Sequence, residues 1–146
     1  MTPARPARPA GAQARPLPID PRRGLGCLGE ELALAHLGRL GFEPVARNQR
    51  TAAGEIDLIV FDGLTLAFVE VKTRRVGSHR RRGPDASSPL TGLRAGQRAR
   101  VRRAAALWLA QTPQRPRARS LRLDAVGVIV DADGQLVTLE HVEGAM

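Results

Sequence analysis

The chain has 146 residues, a formal net charge of +9, one cysteine and 3% aromatic residues. This length suits one domain, and the lone Cys27 excludes a disulfide framework or a multi-cysteine zinc site. No apolar run approaches the roughly 18–20 residues that span a bilayer, and no apolar leader opens the chain, so the expectation is a cytoplasmic protein with no membrane partner.

The charge points to a polyanionic partner, most simply nucleic acid. An acidic membrane surface would attract the same charge, but no aromatic-anchored amphipathic helix is evident. The bland alternative is an arginine-rich composition without specific meaning. Residues 1–22, mostly Pro, Ala and Arg, read as a disordered tail, which leaves 23–146 as the domain. Over 24–40 the pattern is helical, with Leu28, Leu32 and Ala35 on one apolar stripe and Ala33, Leu34 and Leu37 on its neighbour. Gly41 ends that helix.

Strands are expected at 44–50, 55–61 and 64–72, the last two flanking Asp62-Gly63, a two-residue hairpin signal. Residues 74–96 form an Arg-, Gly-, Ser- and Pro-rich loop. A second helix at 97–110 places Val101, Ala104, Ala105 and Trp108 on one face, with Arg98, Arg102 and Arg103 largely off it. After a Pro/Arg loop at 113–119, a second hairpin joins 121–130 to 135–141 near Asp133-Gly134. The order αβββαββ describes an α/β, mixed α+β, domain. His36, His79 and His141 are scattered and show no ligand spacing.

A two-residue turn at Asp62-Gly63 sets Phe61 opposite Leu64, Ile59 opposite Leu66, Asp57 opposite Phe68 and Glu55 opposite Glu70. Opposed and alternate residues share a sheet face, so Asp57, Glu70 and Lys72 emerge together, with Asp57 and Glu70 as diagonal neighbours roughly 7–8 Å apart. Two carboxylates at that separation can share a divalent cation. The plain alternative is a strand end that reaches solvent, with Glu70–Lys72 an ordinary surface pair. One compositional fact favours chemistry: Lys72 is the only lysine, the other 22 of the 23 basic residues being arginine. An amine can position or deprotonate water, whereas a guanidinium stays protonated. Glu30, near the start of the first helix, reads by itself as dipole-favouring surface charge.

Three segments, Gly26-x-x-Gly29-Glu30, Gly54-Glu55-Ile56-Asp57-Leu58 and Phe68-Val69-Glu70-Val71-Lys72-x-Arg74, resemble the YraN family of small bacterial proteins. The resemblance covers about residues 24–130 and includes the helix 97–110 and Arg122-Leu123-Asp124. The YraN family is considered similar to archaeal Holliday-junction resolvases within the PD-(D/E)XK nuclease superfamily. The resemblance implies a restriction-endonuclease-like three-layer core, a central mixed sheet flanked by helices. It also implies acidic metal ligands at Glu30, Asp57 and Glu70 and a catalytic lysine at Lys72. Gln97, where the family commonly has a basic residue, and Leu123, in place of the usual Phe, depart from the pattern.

The expectation that follows is a metal-dependent endonuclease hydrolysing DNA, at branched or junction structures. Mg²⁺ or Mn²⁺ would be held by Asp57, Glu70, Glu30 and the Val71 carbonyl. Arg74, Arg75, Arg80, Arg81, Arg82, Arg98 and Arg102 would contact phosphates, and symmetric cutting of a junction would call for a homodimer. The alternatives are a nucleic-acid-binding module with an idle nuclease site and, below it, a protein-interaction adaptor built on the Arg-rich loop. Glu55 and Asp124 stay ambiguous between support for a site and simple ion pairing.

Overall fold

A computed structural model of the chain describes residues 21–77 and 88–146. The elements run α1 (Pro21–Arg39), β1 (Glu43–Thr51), β2 (Gly54–Phe61), β3 (Thr65–Arg75), α2 (Ala95–Gln111), β4 (Ser120–Val130) and β5 (Leu136–Val142). This is the expected αβββαββ order in a mixed α+β fold. The strands form one sheet in sequence order, antiparallel throughout except where β3 and β4 run parallel.

α1 starts at Pro21, so Pro21 and Arg22, assigned by composition to a tail, form its first turn. Proline suits that position because its fixed φ is helical and its missing N–H would have no partner there. The rest of the expected tail lies outside the described residues. α1 buries Gly29, Ala33 and Leu37 at four-residue spacing, with Leu25, Leu28, Leu32 and Leu34 packed beside them. Ala35, placed on a stripe by periodicity, is exposed. Gly41, at φ +92°, ends the helix, and Phe42 N–H closes back on the Leu37 carbonyl at 3.1 Å. A positive φ there is what glycine supplies at a helix end.

The sheet is covered on both faces, which makes three layers. Leu58, Val60, Ala67, Val69, Val126, Val128 and Val130 pack against α1. Ile59, Leu66 and Phe68 pack against Ala104, Ala105 and Trp108 of α2, the face expected from the sequence. Phe68 and Trp108 meet edge to face, with ring centroids 5.7 Å apart.

The β2–β3 turn differs from the expectation. Asp62 Oδ1 accepts hydrogen bonds from the N–H groups of Leu64 and Thr65, at 2.9 and 2.7 Å, which holds both residues in the turn. The ladder therefore begins at Phe61↔Leu66 and runs Ile59↔Phe68, two residues out of the expected register. A shift of two preserves the side-chain faces, so Ile59, Phe61, Leu66 and Phe68 still share the face expected of them, although this regularity ends before Asp57. β3 also runs three residues further than expected, through Arg75, because β4 pairs with it in parallel over its whole length. Arg74 and Arg75 thus belong to a strand rather than to the long loop. No helix among the described residues is long and apolar enough to cross a membrane.

α1 approaches β3 closely at Gly29. A Cβ there would lie 2.7 Å from Thr73 Cβ and 1.7 Å from its Oγ1, an overlap that no rotamer of Thr73 removes. Gly29→Ala should destabilise the protein by about 1–3 kcal/mol in urea denaturation. An unchanged midpoint would mean that α1 does not sit this close to β3.

Candidate active site

Beyond Leu58↔Val69 the β2–β3 ladder stops. The same register would next pair Asp57 with Glu70. Instead the Asp57 side chain turns into the ladder and Oδ2 accepts the Val71 N–H at 2.7 Å. Here the alternation of β2 also slips: Leu58 and Val60 pack toward α1, whereas Ile56 and Ile59, three residues apart, both pack toward α2. The break falls at Asp57. Opposite it on β1 stands Asn48, at φ +48°, between the pairs Arg47↔Leu58 and Gln49↔Ile56.

Glu70 is buried, and Lys72 Nζ lies 2.8 Å from its Oε1. Burial, and next the negative charge of Glu70, push the Asp57 carboxyl up to about 7. The Val71 N–H opposes that rise, Glu30 adds to it and Lys72 opposes it. Glu30 comes from the middle of α1 rather than near its start, because the helix begins three residues earlier than expected. Its carboxyl is raised chiefly by burial, against the lowering effects of a hydrogen bond from Asn48 and the charge of Arg47. The neighbouring Glu31 faces Arg47, with which it forms an ion pair.

The fold therefore places Asp57, Glu70 and Lys72 together at the point where β2 and β3 separate, with Glu30 near enough to influence Asp57. The donor set, hard carboxylate oxygens under like-charge pressure, suits a cation such as Mg²⁺ or Mn²⁺. Among the described residues, no group of three or more His, Cys, Asp or Glu side chains forms a ready metal cage. Glu55 is exposed and lies 3.6 Å from Arg50.

The expected phosphate contacts scatter. Arg75 is exposed at the end of β3 and Arg74 is half-buried, while Arg80, Arg81 and Arg82 lie outside the described residues. Arg98 and Arg102 are exposed on α2, but Arg98 lines a cavity with Leu90, Leu93, Ala125, Val142 and Ala145, beside β4 and β5. Arg100, on the same helix, lays its side-chain stem against Gly54 at the start of β2, a placement that helical spacing gave no reason to single out. Gln97 caps α2, its Oε1 accepting the Arg94 N–H at 3.3 Å.

A second polar cluster was not legible from spacing. Asp124, fully buried, accepts two hydrogen bonds from Arg122, at 2.8 and 2.9 Å, and one from the Gly144 N–H at 3.1 Å. His141 Nε2 lies 2.9 Å from Asp124, and His141 Nδ1 lies 3.1 Å from His36 Nε2. Burial alone would raise the Asp124 carboxyl, but Arg122, His141 and the Gly144 N–H together hold it below its ordinary value. This chain of contacts fastens β5 and the C-terminal residues to β4 and α1, and it resolves Asp124 as an ion-pairing residue, although in the sheet it stands opposite Val69, next to Glu70.

A family model described as "Uncharacterised protein family UPF0102" matches residues 29–128. A UPF0102 protein of Parafrankia sp. is 43% identical over 121 residues, covering 83% of this chain and 94% of its own. Those of Nocardia farcinica and Streptomyces griseus are 39% and 38% identical over 125 and 126 residues, each covering 86% of this chain and 91% and 98% of their own. The match takes in α1 from Gly29 onward, the β2–β3 pair and most of β4.

The raised Asp57 carboxyl has a consequence for stability. Asp57 holds its proton more tightly in the folded chain, at about 7, than in the unfolded chain, near its ordinary 3.8. That contribution is complete below about pH 4 and is lost as the pH rises through about 7. In metal-free protein, Asp57→Asn should melt close to wild type near the acid end of this window. At about pH 8 it should be more stable, by a few kcal/mol at most, since one pKa unit is worth about 1.4 kcal/mol. A variant less stable than wild type at the higher pH would refute this account of the site.

Proposed function

The chain belongs to the UPF0102 family of uncharacterised proteins, and from the geometry of its own acidic site we propose that it is a metal-dependent endonuclease that hydrolyses DNA, with branched or junction DNA as the substrate class. The observation that carries this reading is the meeting of Asp57, Glu70 and the chain's only lysine where two strands part, in a protein of net charge +9. Perturbed carboxylates cluster at functional sites, where burial and like charges are brought together. The arrangement also agrees with the motif resemblance to PD-(D/E)XK nucleases and their restriction-endonuclease-like core.

Asp57, Glu70, the Val71 carbonyl and Glu30 would hold Mg²⁺ or Mn²⁺. When bound, the ion polarises the phosphate and lowers the pKa of a coordinated water. The protein's own groups do the rest. The Val71 N–H fixes the orientation of Asp57 through Oδ2. The Lys72 ammonium, anchored on Glu70, supplies three donors and a positive charge with which to orient water and stabilise charge developing on phosphate oxygens. Exposed arginines on α2 and at the end of β3 attract the backbone without reading bases. A homodimer would cut a junction symmetrically, and the cytoplasm is where such a substrate is met.

One observation favours a second reading, a nucleic-acid-binding module with an idle site: Lys72 is committed to Glu70, and the acidic groups form no ready cage among the described residues. Labelled duplex, single-stranded, flap and four-way-junction DNA separate the two. Wild type should cut at least one of them with Mg²⁺ or Mn²⁺, and Asp57→Asn and Lys72→Ala should each lower the rate by at least about a hundredfold with binding retained. Salt-sensitive binding without cleavage by all three proteins would overturn the enzyme and leave the module.

A further inference from the structure

Three consecutive residues of β1 serve both helices. Arg47 pairs with Glu31, and Asn48 Nδ2 donates to Glu30 Oε2 at 3.3 Å, both on α1. Gln49 Oε1 accepts from Trp108 Nε1 on α2, at 3.3 Å. A regular strand sends successive side chains to opposite faces, so Arg47 and Asn48 could not both reach α1 from one. The backbone of Asn48 removes the conflict: its φ of +48° is the only positive value at a non-glycine residue among those described. Side chains rarely adopt that conformation, and Asn and Asp tolerate it best after glycine. Backbone departures of this kind persist where the surroundings enforce them and concentrate at functional sites.

The position is as specific as the conformation. Asn48 stands across the β1–β2 ladder from Asp57, level with the slip in side-chain alternation. We infer that Asn48 is a positioning residue, whose amide holds the Glu30 carboxylate at the acidic site so that a divalent cation meets it together with Asp57 and Glu70. The inference rests on the metal-site reading above and adds a residue that acts only through Glu30.

A neutral amide suits the task. It orients one carboxylate oxygen by donating to it, and it brings no positive charge to compete with a cation, as Arg or Lys would. Two demands meet at this one position, a left-handed backbone and a neutral donor. Glycine satisfies the first alone, and alanine satisfies neither.

Asn48→Gly therefore separates the two roles, keeping the backbone and removing the amide. Mn²⁺ binding by the full chain, read from the EPR signal of the free ion, should weaken about tenfold to a hundredfold, while the melting temperature stays close to wild type. In a Glu30→Gln background the same substitution should have no further effect, because the amide acts through that carboxylate. Equal Mn²⁺ affinity in wild type and Asn48→Gly, an additive loss in the double variant, or a loss of stability in place of a loss of affinity overturns the positioning role and leaves the metal site standing. A wild-type protein that binds no Mn²⁺ overturns the metal-site reading and this inference with it.

Discussion

β3 lies at the centre of the sheet, paired with β2 antiparallel over Leu66–Val69 and with β4 in an unbroken parallel ladder from Thr65↔Ser120 to Arg75↔Val130. Every other placement in the molecule refers to that strand. Its first half is buried on both faces and separates the two cores, with Ala67 and Val69 against α1 and Leu66 and Phe68 against α2. Its second half keeps its pairing with β4 but loses β2, and the polar residues Glu70, Lys72 and Thr73 begin there. A central strand held on one side and released on the other can present buried carboxylates without breaking the sheet. The backbone hydrogen bonds lost on the β2 side are partly replaced by Asp57, which takes the Val71 N–H.

The departures from regular geometry gather at this release point. The β2 alternation slips at Asp57, Asn48 adopts a left-handed backbone opposite it, and α1 comes within touching distance of Thr73 only because position 29 is glycine. Two acidic groups under burial and mutual repulsion do not improve stability. The rest of the fold has to carry them, through two well-packed cores and a continuous parallel ladder. A structure that tolerates local strain and like-charge crowding at one end of an otherwise regular sheet has the economy expected of a functional site.

Other polar residues serve the architecture. Asp124 lies within β4 opposite Val69, fully buried, and gathers donors from Arg122, His141 and the Gly144 N–H. A buried carboxylate is stable only with such partners, and losing one would leave a charge without compensation. Through His36 the same chain of contacts reaches α1, so the last strand is tied to the first helix across the α1 side of the sheet. Ser88, at the near end of the segment that leads into α2, hydrogen-bonds Glu140 of β5, while Pro89 and Leu90 pack over Gly127. These ties hold an edge strand that exposes Leu136, Val137 and Val142.

Apolar periodicity and turn chemistry are local, so the elements, their order and the buried face of α2 were legible in the sequence, while on α1 the expected stripe was right except at Ala35. Gly41, Asp62-Gly63 and Asp133-Gly134 marked chain reversals that do occur, and Val101, Ala104, Ala105 and Trp108 do form the buried face of α2. The sequence also singled out Asp57, Glu70 and Lys72, but the shared face it gave them rested on an alternation that slips at Asp57, whose side chain turns into the ladder toward the Val71 N–H. The rest depends on contacts between distant segments. The pairing of β3 with β4 joins strands on either side of α2, and no local pattern specifies it. The true β2–β3 register depends on an Asp62 side chain outcompeting a tighter turn. Glu30, Asn48, and the meeting of His36 with His141 and Asp124 involve partners up to 105 residues apart. Such contacts arise from how layers stack, and layer stacking leaves no trace in the spacing of a single chain segment.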